Sequence, residues 1–229
     1  MSSSESSFMA AYPPRKIWIL GAGHFGYIAA QRLSRRLPES HFLVVELRED
    51  RLQKVHEELG LPIHVEDCLE FLCQRPVPDD VWVVPAVPVH VAFRWMLHQL
   101  STIGEVQPLP VPEAADAQVP NPYRMSTGTL YASYATWICP DACNEPDEVC
   151  THTREPRPGN LFEHLSRIQV PGFQVAVFRS WQLAPGVGGY PGGYLKDILA
   201  RQVAEQPGSY LIATSCRCHG VVDALQWRR

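Results

Sequence analysis

The chain has no apolar run of about 18 residues, so no segment reads as a membrane-spanning helix. Its opening residues, MSSSESSFMAAYPPRK, hold no apolar core of the secretory-signal kind, and residues 1–14 read as a disordered lead. Membrane insertion is therefore not expected, and the expected location is cytoplasmic. No basic stripe or block of like charges is present, and 20 Lys and Arg against 24 Asp and Glu leave a net charge of −4. Nucleic acid is disfavoured as a partner, because its binding rests on neutralising phosphates with Lys and Arg. Several catalytic signatures are missing as well. The glycine-rich stretch Ala184–Tyr194 (APGVGGYPGGY) lacks a Gly-Lys-Ser/Thr ending, which excludes a nucleoside-triphosphatase phosphate loop. Tyr194 and Lys196 are two apart, too close to share the helix face that a Tyr-x3-Lys reductase pair needs. No Ser-His-Asp order or paired-carboxylate motif stands out.

What is present is an alternation of short apolar runs and helical periods. Lys16–Leu20 (KIWIL), Phe42–Val45, Ile63–Val65 and Val81–Val84 read as buried strands. Gly26–Leu37, a stretch led by Asp50 and closed by Gly60, and Val89–Leu100 read as the helices between and after them. The expected fold is α/β: a Rossmann-like parallel sheet over residues 15–100, with further strand–helix units and a proline-rich, cysteine-bearing insertion. Residues 101–128 hold five prolines up to Met125 and read as a linker. Residues 129–229 then resume the alternation as an α/β continuation. A parallel strand over Thr129–Ile138 would bring the glycine loop and both cysteine clusters to the same sheet edge as the first loop.

The first loop carries a phosphate-binding pattern. Gly21-Ala22-Gly23-His24-Phe25-Gly26 is G-x-G-x-x-G between a strand and a helix, and Glu46 ends the next strand 20 residues after Gly26. Gly21 permits the turn, Gly23 lets backbone approach a pyrophosphate, and Gly26 lets helix pack on strand. The helix start offers N–H donors to phosphate, and Glu46 would accept from the adenosine ribose. His24 and Phe25 lie inside the loop. The implied partner is a dinucleotide, NAD(H).

Cysteine is clustered. Cys139, Cys143 and Cys150 form C-x3-C-x6-C, and Cys216 and Cys218 form C-x-C before His219. Where thiols stay reduced, such grouping points to a metal before disulfides. Cys139, Cys143, Cys150 and Cys218, with Cys216 as the alternative fourth ligand, read as a site for an iron–sulfur cluster in preference to zinc. Cys68 and Cys73 read as core residues.

Residues 16–100 resemble the nucleotide-binding domains of RCK or Trk-type potassium-uptake regulators. The resemblance is carried by KIWILGAGHFG, by VVELRED with Arg48 after an acid, and by HVEDC with Asp67. It implies NAD(H) or another adenine nucleotide at Gly21, Gly23, Gly26 and Glu46, with Asp67 beside it. The combination CPxxCxEPxxxC, LAPGVGGY and CRCHG is similar to an uncharacterised group of bacterial proteins from anaerobes. The expected function is NAD(H) binding with a cysteine-ligated metal centre, in a redox protein or redox sensor with a redox partner. The alternatives are a regulatory subunit of a membrane transporter and an NAD-dependent dehydrogenase with structural zinc.

Overall fold

The computed structural model describes residues 3–229, with side chains from residue 7 onward. The chain divides into two compact units, one made of Met1–Val91, Asp141–Asp147 and Trp181–Tyr194, the other of Ala92–Pro140, Glu148–Ser180 and Leu195–Arg229.

Unit 1 is built on β1 (Lys16–Leu20), β2 (His41–Glu46), β3 (Ile63–Val65) and β4 (Val81–Pro85), all parallel in the order β3-β2-β1-β4. Continuous apolar runs suit strands covered on both faces, and Ile17, Ile19, Leu20 and Val81 to Val84 are buried accordingly. Helix α2 (His24–Arg36) turns Ala29, Ala30 and Leu33 inward and ends before Pro38. Helix α3 (Glu49–Leu59) buries Leu52 and Val55 and closes on Gly60 in the left-handed conformation. Helix α4 (Cys68–Cys73) follows β3. The glycine-rich stretch is part of a hairpin, β9 (Trp181–Ala184) and β10 (Val187–Pro191), which extends the sheet antiparallel from β4. Its glycines answer to protein packing: a Cβ on Gly189 would lie 2.7 Å from the Val83 oxygen.

The amino-terminal residues differ from the disordered lead expected of them. Helix α1 (Ser3–Ala11) forms because it has aromatic anchors. Phe8 stacks on Trp181 at 3.8 Å, and the Trp82 indole donates to the Tyr12 carbonyl at 3.0 Å.

Unit 2 holds a second sheet in the order β6-β7-β12-β11-β8, comprising β6 (Tyr123–Arg124), β7 (Leu130–Ser133), β8 (Phe173–Arg179), β11 (Gly208–Ser215) and β12 (His219–Arg228). The expected linker is ordered in part. Strand β5 (Glu105–Leu109) pairs with β12 and tolerates Pro108, as an edge strand can. A 3-10 turn over Glu113–Gln118 then buries Ala115. Helices α5 (Val91–Ser101) and α7 (Gly192–Ile198) begin at the unit boundaries and lie mostly in unit 2, whereas α6 (Leu161–Leu165) lies wholly within it. The core gathers Leu130, Leu161, Leu165, Leu211, Ala213, Val222 and Ala224.

Strand β7 is not the parallel strand expected over Thr129–Ile138. It pairs antiparallel with β12, burying Leu130 and Ala132 while Tyr131 faces water. That alternation belongs to an antiparallel strand covered on one face. Strands β11 and β12 are antiparallel because a tight turn joins them, and a parallel pair would need a long crossover. The cysteine clusters therefore do not follow parallel strands of unit 1's sheet.

The junction of β1 with α2 is closely packed. Gly21 has φ +105°, and a Cβ on Gly26 would lie 2.0 Å from the Gly21 oxygen. Gly26→Ala should therefore destabilise unit 1 by more than about 2 kcal/mol. Urea denaturation followed by tryptophan fluorescence checks this, and a wild-type midpoint would refute the close packing.

Candidate functional site

The carboxyl ends of β1, β2 and β4 meet at one edge of unit 1's sheet. The Gly21 N–H donates to the Val45 carbonyl at 2.7 Å and the Ala86 N–H to the Leu20 carbonyl at 2.8 Å, so the backbone of all three strand ends is joined. Helix α2 starts there. Its first turn has no side-chain cap and no acidic residue. The helix start thus keeps its partial positive charge and free N–H donors.

The three loop glycines are not equivalent. Gly21 and Gly26 are required by the protein's own backbone, as described above. Gly23 is not: its φ is −68°, and an added Cβ would meet just the Arg51 Nη1, at 3.6 Å. That is ordinary van der Waals contact with a flexible side-chain end, so a Cβ at Gly23 would clash with nothing.

Glu46 ends β2 and is 9% exposed. Its Oε2 accepts from the Ala22 N–H at 3.1 Å and from Arg51 Nη1 at 3.4 Å, and its Oε1 accepts from the Arg48 N–H at 3.2 Å. Burial works to raise its pKa, but the two backbone donors and the Arg51 guanidinium outweigh that and hold the carboxyl below its ordinary value. Glu46 thus ties the fingerprint loop to the neighbouring strand. Arg51 went unnoticed in the sequence, where nothing marks it apart from its helix.

Asp67 caps α4, its carboxylate accepting from Leu69 N–H and Glu70 N–H. Cys68 is buried and its thiol donates to the Val45 carbonyl at 3.2 Å. Burial, with the charges of Glu46 and Asp67 adding, pushes this thiol up to about 12, so it is an inert core group. Cys73 is half-buried at the end of α4.

Large apolar side chains are exposed at the same edge. In unit 1 the described ones are Phe25, Leu47, Val65 and Val89. Each lies at or just beyond the carboxyl end of a different parallel strand.

The segment Asp141–Asp147 also belongs to unit 1. Asp141 Oδ2 lies 3.3 Å from His24 Nε2, and Arg32 Nη1 donates to the Asp141 and Pro185 carbonyls, each at 2.6 Å. The Cys143 carbonyl accepts from Gly186 N–H and Gln182 Nε2, and its sulfur accepts from Glu145 N–H at 3.4 Å.

The other clustered cysteines, Cys139, Cys150, Cys216 and Cys218, lie in unit 2 and are half-buried. Residues 216–218 form the turn between β11 and β12, closed by Cys216 N–H to the His219 carbonyl at 3.0 Å. The Cys216 sulfur accepts from the N–H groups of Cys218 and His219, both at 3.4 Å, and lies 3.9 Å from His219 Nδ1. Cys150 has the same local design. Its thiol is held below the ordinary range chiefly by the Thr153 N–H, with His152 N–H, the Thr153 hydroxyl and the Arg157 charge assisting against partial burial.

Further contacts bring the unit 2 loops together. Tyr134 N–H reaches the Cys218 carbonyl and Leu161 N–H the Arg217 carbonyl, each at 2.9 Å, while Trp137 stacks on His152 at 5.6 Å. Among the described residues, no three His, Cys, Asp or Glu side chains are gathered as a metal-holding group. None of the described helices is long and apolar enough to cross a membrane.

Fold and site define a two-unit α/β protein with an open, loop-bearing edge on a parallel sheet. The chain belongs to the family AF_1314_C, described as "Uncharacterized protein, C-terminal domain", whose model matches residues 92–228. It is similar to an "Uncharacterized protein" of the archaeon Archaeoglobus fulgidus, 26% identical over 228 residues, covering 91% of this chain and 98% of the relative. No solved structure gives a significant match.

Glu46 makes stability depend on pH. A carboxyl whose native pKa is lowered contributes fully above its ordinary value of 4.5, and the contribution is lost as pH falls through the native value. The stability advantage of wild type over Glu46→Gln should therefore shrink between about pH 6 and about pH 3. Paired urea titrations at the two pH values measure it, and an advantage that grows in acid would contradict the assignment.

Proposed function

We propose that the protein binds NAD(H) along the carboxyl edge of the unit 1 sheet and acts as a redox protein or a sensor of redox state. The observation that carries this reading is the coincidence at that edge of an uncapped helix start, a Gly23 at which a Cβ would clash with nothing, and four exposed apolar side chains. A dinucleotide has anionic phosphates for the helix start and flat rings for the apolar side chains. The order β3-β2-β1-β4 places the fingerprint beside the switch point between β1 and β4, where open α/β sheets take their ligands. The likeness of residues 16–100 to potassium-uptake regulators supports the same ligand and, in the sensor form, a membrane transporter as partner.

NAD(H) is preferred to NADP(H) in this reading, because the Glu46 carboxylate would meet a 2′-phosphate with like charge. Calorimetric titration of both cofactors tests it, and equal affinities or tighter NADP(H) would refute it. Gly23→Val should weaken NADH binding at least about tenfold, roughly 1.4 kcal/mol. Its thermal stability should change little, because the added Cβ would clash with nothing and would meet just the flexible end of Arg51.

The cysteines of unit 2 are read as ligands of a thiophilic metal. The supporting observations are the Cys150 thiol, held below its ordinary range by neighbouring amide N–H groups and so nearer the thiolate that binds metal, and the amide donors that face the Cys216 sulfur. Of the expected ligands Cys139, Cys143, Cys150 and Cys218, with Cys216 as the alternative, Cys143 lies in unit 1, and the candidate donors left in unit 2 are Cys139, Cys150, Cys218 and Cys216, with His219 Nδ1 near Cys216. Such thiolates suit an iron–sulfur cluster or zinc. A cluster would supply one-electron chemistry, whereas zinc would fix the loops. Protein purified anaerobically should carry iron or zinc by elemental analysis. Cys150→Ser and Cys216→Ser should lose most of it, while Cys68→Ser and Cys73→Ser should keep it. Wild-type protein holding neither metal would sink this part of the proposal.

A further inference from the structure

The segment carrying Cys143 is fixed to this edge of unit 1 by backbone contacts as well as by a side-chain pair. Arg32 binds the Asp141 carbonyl, and Gly186 N–H and Gln182 bind the Cys143 carbonyl. Gly186, at φ +67°, has its would-be Cβ position filled by the Asp141 oxygen at 1.7 Å, so the hairpin turn is shaped to receive this segment. The docking sets the Asp141 carboxylate against His24, the first residue of α2, at 3.3 Å. Both side chains are substantially exposed, 69% for His24 and 48% for Asp141, so the pair adds little to the stability of the fold, and its effect is local to the segment it helps to hold. What the arrangement does is place a negative charge beside the ring of His24, the first residue of the helix whose start a pyrophosphate would approach.

Resting on the dinucleotide reading above, we propose that Asp141 is a built-in competitor of the pyrophosphate. The carboxylate holds the His24 side chain, which phosphates at the helix start would also seek, and like charges brought together beside it disfavour one another. Binding of the dinucleotide therefore draws His24 away from Asp141 and loosens the hold on Asp141–Asp147. By linkage, anything that fixes that segment elsewhere changes the affinity for the dinucleotide by the same factor. Cys143 lies on the segment, so its chemical state and the occupancy of the nucleotide edge become coupled within unit 1.

The test uses full-length protein, NADH and Asp141→Asn, which keeps the backbone contacts and removes the charge. Calorimetry should show NADH binding about fivefold tighter to Asp141→Asn than to wild type, a change expected when a nearby exposed like charge is removed. Hydrogen exchange read by mass spectrometry should show residues 141–147 exchanging faster when wild type is saturated with NADH. Unchanged or weaker binding by a variant with wild-type melting, or slower exchange across 141–147 with NADH, would overturn the inference. Failure of wild type to bind NADH at all would defeat the dinucleotide reading itself. Binding with an unresponsive 141–147 segment would defeat the competitor alone.

Discussion

The close contact between Gly26 and the Gly21 carbonyl governs the rest of unit 1. It lets α2 start directly against the end of β1, and that start is what gives the sheet edge its positive character. The Glu46 carboxylate depends on the same closeness, since it reaches the Ala22 N–H within the turn. Two strands, a loop and a helix are thereby held in one arrangement by backbone hydrogen bonds and a single buried acid. A side chain at position 26 would separate the helix from the strand and remove the geometry on which the edge relies.

The two units handle polar chemistry in different ways. In unit 1 the charged groups at the edge are paired within the protein: Glu46 with Arg51, Asp141 with His24, and Asp67 with the α4 backbone. Apolar side chains are what it leaves exposed there. In unit 2 the notable polar groups are sulfurs facing amide donors, in a turn at Cys216 and in a loop at Cys150. Buried Cys68 shows the contrast, since burial and two nearby carboxylates keep it protonated. Cys68 and Cys150 thus differ in chemical character by environment, which is the basis for assigning them different roles.

The family match covers most of unit 2, and the relative from Archaeoglobus fulgidus spans both units. The Asp141–Asp147 segment of unit 1 carries one of the clustered cysteines, Cys143.

Much of the first hundred residues was legible in the chain. KIWIL, the fingerprint, Glu46 and the α3 stretch ending at Gly60 appear in the structure where their patterns place them, because those signals are local. A buried strand needs a continuous apolar run, a helix needs its period and cap, and a glycine turn needs glycine. The lead and the proline-rich stretch were misread because their order comes from distant partners, Trp181 and Trp82 for α1 and β12 for β5. The direction of β7 was equally hidden, since an apolar run does not say which strand it will lie beside.

The sequence by itself determined the parallel core of unit 1 and its glycine loop, which rest on neighbours within a few residues. The tertiary structure alone decided that Glu46 is spent on Ala22, Arg48 and Arg51, that Asp141 faces His24, and that the Cys150 and Cys216 sulfurs meet amide donors. Two of these contacts, Glu46 with Ala22 and Asp141 with His24, join residues remote in the chain, and the others depend on backbone conformations that residue types alone do not specify. Such contacts follow from how the backbone closes on itself, and no spacing in the sequence encodes them.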